Sequence, residues 1–204
     1  MISEFRAALN YIEETISELR FEITKPSQKI AATMLNIALD HAQGICILLE
    51  KAAYPSAVAM LRVQFEAYIR ASWLGYCASD AQIQSFISND EIRNDGKKIE
   101  FAQLVSLVEA NAELGSFLTI FRQTNMKSFH SFTHGGVHQL FHYVNGDMIT
   151  HRYEKSDIDG LCKGAAMIAC MTYVTLLDVV EKAKAEALAE HLLEMVTPWL
   201  FNQK

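Results

Sequence analysis

Three charged side chains recur at steps of four along one stretch of the chain, Arg62, Glu66 and Arg70. On an α-helix that spacing puts them on one face, each within reach of the next. The residues around them are largely apolar, so the stripe is either a narrow solvent-facing strip of ordinary ion pairs or an enclosed polar seam. In the seam, Glu66 would hold an arginine or a histidine in place. Enclosed charges must be paired, so burial here would itself mark a site.

The second concentration of chemistry is imidazole. Five of the seven histidines fall between His130 and His151, and His130, His134, His138 and His142 recur every four residues. On an unbroken helix such a ladder could chelate zinc or nickel. Gly135-Gly136 interrupts it, and no His-Glu-x-x-His pattern or acidic partner at metal spacing accompanies it. The expectation is a histidine-rich polar turn with no metal and no cofactor, a histidine-bound metalloprotein ranking last among the readings. Within the run Ser128 to Gly136, His134 stands at an expected helix end beside two glycines, where a backbone can approach a ligand or second chain closely. An imidazole there suits acid/base work or phosphate contact near neutral pH, or simply caps the last carbonyls. From Phe121 to Lys155 the bases Arg122, Lys127, Arg152 and Lys155 face only Asp147 and Glu154. His41, beside Gly44 in an apolar pattern, is expected to be a core histidine.

The whole chain carries 204 residues, half of them apolar, with 18 basic and 24 acidic side chains and a formal charge of −6. That composition describes one globular domain over residues 1–204 and excludes collagen-like, disordered and disulfide-scaffold classes. The negative balance argues against non-specific duplex binding, which needs Lys and Arg on phosphate, and leaves room for a local basic site. The N-terminal residues show neither a secretory nor a transit pattern, so a cytoplasmic protein is expected. The run Ala165 to Val180 reads as a buried core helix rather than a membrane span. Cys46, Cys77, Cys162 and Cys170 are far apart and read as reduced core thiols.

The elements that must position these residues are helical. Apolar residues from Phe5 to Ile23 alternate in steps of four and three and predict a first helix ending at Pro26. A second should start near Ser27 and bury Ile30, Met34, Ile37, His41, Gly44 and Leu48. Pro55 opens a third, with Val58, Leu61, Phe65, Ile69, Trp73 and Tyr76 on its inner side. Ser79 to Gln82 matches a capping box before a short helix. The stretch Ser88 to Lys98 reads as a polar loop, followed by helices over about 98–113 and 117–133. Asn145-Gly146 between two β-prone runs predicts a small hairpin near 139–153. Helix resumes at Ser156 as N-cap and extends through Val180, and a last stretch, Glu186 to Val196, stops before Pro198. The predicted fold is an all-α antiparallel bundle of five or more helices with one β-hairpin insert.

Two short motifs, Leu61-Arg62-x-x-x-Glu66 and Thr133-His134-Gly135-Gly136, resemble those of a group of uncharacterised bacterial helical-bundle proteins. More distantly the chain is similar to the HEPN superfamily. That resemblance implies an all-α bundle that acts as a homodimer, and ribonucleases of bacterial toxin–antitoxin and phage-defence systems that cut RNA without metal. Their motif is an Arg, four to six residues, then a His. Here Arg122 and His130 have seven residues between them, Lys127 and His134 have six, and Asn125 and His130 have four. On that likeness His134, His130 and Lys127 would be the catalytic set. Arg62, Glu66, Arg70, Arg122, Thr133, Gly135 and Gly136 would form the binding seam. RNA or a nucleotide phosphate is the implied ligand, and an antitoxin or defence protein the implied partner. Whether the protein is an enzyme or a non-catalytic ligand-binding or interaction bundle stays open at this point.

Overall fold

The computed structural model describes residues 1–19, 23, 25–94, 96–150, 152–180 and 185–201, the Asn145 side chain apart. His151 and Asp95, both part of the sequence reading, lie outside the described residues. Among those described are nine helices: α1 (Ile2–Glu18), α2 (Pro26–Glu50), α3 (Tyr54–Tyr76), α4 (Asp80–Asn89), α5 (Phe101–Asn111), α6 (Phe117–Thr133), α7 (Val137–Phe141), α8 (Lys155–Val179) and α9 (Ala185–Leu200). Two antiparallel ribbons complete the fold, β1 (Arg93–Asn94) with β2 (Lys97–Lys98) and β3 (Val144–Asn145) with β4 (Met148–Ile149). The all-α bundle with a small hairpin is the observed class.

Helices α2, α3 and α8 pack most extensively on one another and form the centre. Helix α8 buries Leu161, Ala165, Ile168, Thr172, Leu176 and Val179, so its apolar run is core. By length and composition α2 and α8 could each cross a membrane, but α8 spends its apolar surface on neighbouring helices. Helix α2 presents a face one position away from the expected one. Ala31, Leu35, Ala38, Ala42, Ile45 and Leu49 are buried, whereas Ile37 is exposed and His41 and Gly44 are half-buried. Alanine lets backbones approach: a Cβ added to Gly75 of α3 would sit 3.3 Å from that of Ala31.

Several boundaries differ from the sequence reading. Helix α1 ends at Glu18, with Leu19 extended, and most of the stretch between it and Pro26, over which the sequence reading continued the helix, lies outside the described residues. Glu154, not Ser156, caps α8, in a reciprocal box with Asp157. Residues 139–141 belong to α7 instead of a strand. The hairpin register pairs Asn145 with Met148, so Gly146 and Asp147 occupy the turn, one position later than expected, with Gly146 at φ 60°. Helix α9 runs through Pro198 to Leu200. In the last turn a proline forfeits one backbone bond, and Phe201 N–H still reaches the Thr197 carbonyl at 3.3 Å. The stretch Ser88 to Lys98 folds its end into β1 and β2, anchored by buried Ile92 and Ile99, which are joined by a 2.9 Å backbone bond. The capping box at Ser79 and Gln82 forms as the spacing predicts.

Candidate functional site

The seam on α3 is partly enclosed and internally paired. Arg62 Nε donates to Glu66 Oε1 at 2.7 Å, and Arg70 Nη2 lies 3.8 Å from Glu66 Oε2. Arg62 and Glu66 are about a quarter exposed, at 24% and 25%. The next link joins the two sequence motifs: Arg62 Nη1 donates to Thr133 Oγ1 at 3.0 Å, tying α3 to the end of α6. Thr133 passes its own proton to the Phe129 or His130 carbonyl, at 3.0 Å each. Arg62 therefore acts as a clamp between helices.

The glycines after Thr133 build the helix stop. Gly135 takes φ 68°, and Gly136 N–H returns to the Ser131 carbonyl, the six-to-one bond of a Schellman turn. A Cβ on Gly136 would lie 2.6 Å from Ser131 Oγ and 3.1 Å from Ser131 Cα, so only glycine fits. Ser131 Oγ also accepts the His138 N–H at 2.9 Å, which starts α7 directly from the turn. The two glycines end the helix as the sequence predicts, and Gly136 packs closely on Ser131.

His130 and His134 are exposed and lie side by side, ring centroids 4.5 Å apart. With exposed Lys127 they form one stripe on α6, at steps of three and four. They sit near the C-terminal end of the helix, where its dipole favours positive charge. Lys127 and Arg122 make no ion pair among the described residues. The ladder divides at the glycine turn: the His142 ring stacks on Tyr153 at 4.5 Å and 8°, with Nδ1 held 3.1 Å from the Arg152 carbonyl. Among the described residues no group of three or more His, Cys, Asp or Glu is arranged to hold a metal.

A cleft of ≈ 360 Å³ opens between α3, α6 and the start of α8. Helix α6 lines it with Phe121, Asn125, Ser128 and Phe132. Those positions and the Lys127, His130, His134 stripe are out of phase by about half a turn at 3.6 residues per turn, so they occupy roughly opposite faces. None of His130, His134, Lys127, Arg62, Glu66 or Arg70 lines the cleft. The structure thus brings His130, His134 and Lys127 together on an open surface, with Arg62, Glu66 and Thr133 fixed beside them.

The matched family covers this whole arrangement: its sequence profile spans residues 35–196, from within α2 into α9. The chain belongs to DUF6988, a family of unknown function. No curated protein and no solved structure matches it. Both motifs fall inside the DUF6988 span.

Two polar residues in this DUF6988 core, Gln64 and Glu109, have no place in the sequence reading, and a third, Tyr76, enters it only as an inward-facing ring of α3. Gln64 is fully buried on α3, its Nε2 donating to the Ala165 carbonyl at 3.0 Å and its Oε1 enclosed with no partner among the described residues. Glu109 of α5 is buried and accepts Thr119 N–H at 3.0 Å and its hydroxyl at 2.6 Å, capping the first turn of α6. Tyr76 donates to Asp178 at 2.6 Å beside an apolar cavity of ≈ 460 Å³ between α3, α8 and α9. Each is one polar residue in an apolar helix face, and sequence pattern carries no signal for its partner.

Proposed function

We propose that the protein is a HEPN-like bundle that binds RNA or a nucleotide phosphate, working as a homodimer in the cytoplasm within a bacterial toxin–antitoxin or phage-defence system. The observation that carries this is the exposed stripe of Lys127, His130 and His134, which has no acidic partner among the described residues and ends next to Thr133, the residue that holds Arg62. Phosphate oxygens accept from such donors, and unpaired bases would supply selectivity. A metal-independent ribonuclease is the catalytic form of the same reading. One imidazole would take the 2′-OH proton, its neighbour would protonate the departing 5′ oxygen, and Lys127 would meet the phosphate charge. The stripe lies on an open face of one chain, so this chemistry calls for a second copy to close over it.

The test is fluorescence anisotropy with a labelled single-stranded RNA at several salt concentrations, followed by gel assay for cleavage in EDTA. Binding should weaken with salt, and Lys127→Ala should lower the log–log slope by roughly 0.7, the share of one phosphate contact on a single strand. Cleavage that His134→Ala abolishes would support the ribonuclease form. Absence of binding at low salt would refute the reading as a whole.

A second reading, a non-catalytic interaction bundle, is favoured by the apolar surface of α7 and the β3–β4 ribbon. Phe141 is 70% and Ile149 88% exposed, with Leu140 and Met148 also open. Such patches mark interaction sites. Light scattering should give a dimer that Ile149→Lys converts to monomer; a wild-type monomer at micromolar concentration would exclude homodimerisation.

A further inference from the structure

The ≈ 360 Å³ cleft is walled by rings, and among the described residues that line it Tyr153 has a buried polar atom without a partner. His142 and Tyr153 stack with an interplanar angle of 8°, Tyr54 leans on Tyr153 at 5.1 Å, and Phe132 leans on His142 at 5.7 Å. A rigid aromatic group of this kind offers π-faces to a planar guest. The Tyr153 hydroxyl oxygen is enclosed, and no described residue bonds it. Buried polar groups in folded proteins almost always have partners, so an orphan at the wall of a cleft points to a group that enters it. Burial first, then Tyr143 and Asp157 nearby, push the Tyr153 phenol well above its ordinary pKa, so it keeps its proton and can donate. The charge of the lining is also informative: Asp157 is present and no lysine or arginine is, which disfavours an anion.

We propose that this cleft binds a small, planar, uncharged heteroaromatic molecule of one or two rings, stacked among the Tyr54, His142 and Tyr153 rings and accepting a hydrogen bond from the Tyr153 hydroxyl. The size fits, since small-molecule sites begin near 300 Å³. The site is separate from the exposed stripe, which lies across α6, and it takes the opposite kind of ligand, neutral instead of phosphate-bearing. His142 Nδ1 is committed to the Arg152 carbonyl, which fixes the ring that forms one wall. Gly160 of α8 lines the cleft, and a Cβ built there meets nothing within 4 Å. A side chain at 160 would therefore grow into the space that the guest needs.

The test is ligand-observed NMR titration of the full chain with quinoline, benzimidazole and nicotinamide. Naphthalene serves as the isostere without an acceptor, and quinoline-2-carboxylate as the anionic form. At least one neutral heteroaromatic should bind saturably at one site, about tenfold more tightly than its control without an acceptor and than the carboxylate. Tyr153→Phe should bring it down to the level of that control. Gly160→Met should abolish binding while leaving the melting temperature unchanged or higher, because methionine is the better helix former. The proposal is overturned if none of the three neutral probes shows binding that Gly160→Met removes, or if Tyr153→Phe leaves the preference intact.

Discussion

Replacing the two adjacent glycines after α6 by alanine separates two kinds of glycine requirement. Gly135→Ala meets open space and suffers only from φ 68°, a left-handed conformation costing an L residue roughly 1–2 kcal/mol. Gly136→Ala has an ordinary backbone conformation and no room, with contacts of 2.6 Å to Ser131 Oγ and 3.1 Å to Ser131 Cα. Carbon contacts are comfortable near 3.5–4.0 Å, so Ser131 must move. Moving it loosens the bonds from His138 N–H and from Gly136 N–H, at about 1 kcal/mol each, with overpacking adding about 1–3 more. The expected cost of Gly136→Ala is therefore about 3–5 kcal/mol, a fall of roughly 6–20 °C in Tm for a chain of this length. Urea unfolding at constant m-value measures both variants. Ser131→Ala removes the hydroxyl that makes the tightest contact, so Gly136→Ala should cost at least 0.5 kcal/mol less in that background, the lower limit for coupled neighbours. Equal costs for the two glycine variants, or strict additivity with Ser131→Ala, would refute a steric role for Gly136.

Other perturbations probe the remaining features. Arg62→Ala and Thr133→Val should each destabilise by about 1 kcal/mol, discounted because Arg62 is a quarter exposed, and a double-mutant cycle in urea should show coupling between α3 and α6. Burial lowers the pKa of His41, with Asp40 opposing, so the unfolded chain binds the proton more readily. Stability should be full above the ordinary value near 6.5 and decline as pH falls below it, and His41→Gln should remove that part of the acid dependence of Tm. Burial pushes the Cys46 thiol up to about 11 and those of Cys162 and Cys170 up to about 12, while Cys77 is the half-buried thiol. Thiol titration with DTNB at pH 8 should label Cys77 first, and Cys77→Ser should leave almost no fast phase in the native protein.

The helices were legible because their signals are local. Apolar steps of three and four, Pro55 at a helix start and the Ser79 box each act within one or two turns of chain. The misplaced features have longer-range causes. The inner face of α2 is built from alanines, and a hydrophobicity pattern weighs Ile37 and Met34 above Ala38 and Ala42. What decides is how closely α3 and α8 approach, visible at Ala31 against Gly75. The ribbon of β1 and β2 is exposed on its strands and has no apolar alternation to announce it. Its fixed points, Ile92 and Ile99, lie just outside it. Pro198 reads as a stop in the sequence, whereas a last-turn proline loses a single bond and packing of Val196 and Leu200 keeps the helix going.

At the candidate site the sequence identified residues that matter without identifying what they do. Arg62, Glu66, Thr133 and Gly136 carry the family-like pattern, and in the structure each is spent on another: Glu66 on Arg62, Arg62 on Thr133, Gly136 on Ser131. A motif of this kind ties α3 to the end of α6 and starts α7 from the turn, which is a structural use for those residue types. His130, His134 and Lys127 differ, because among the described residues their charged or ring atoms make no contact beyond the His130–His134 ring pair. Side chains with titratable groups that the fold leaves unused are the ones free to meet a ligand. The same reasoning applies across α6. Among the described residues Tyr153 is the cleft ring whose polar atom is both buried and without a partner, and that property depends on three elements meeting, which no local pattern encodes. Function in this bundle is thus sought where packing and hydrogen bonding leave a residue unemployed, on the outer stripe of α6 and at the Tyr153 hydroxyl.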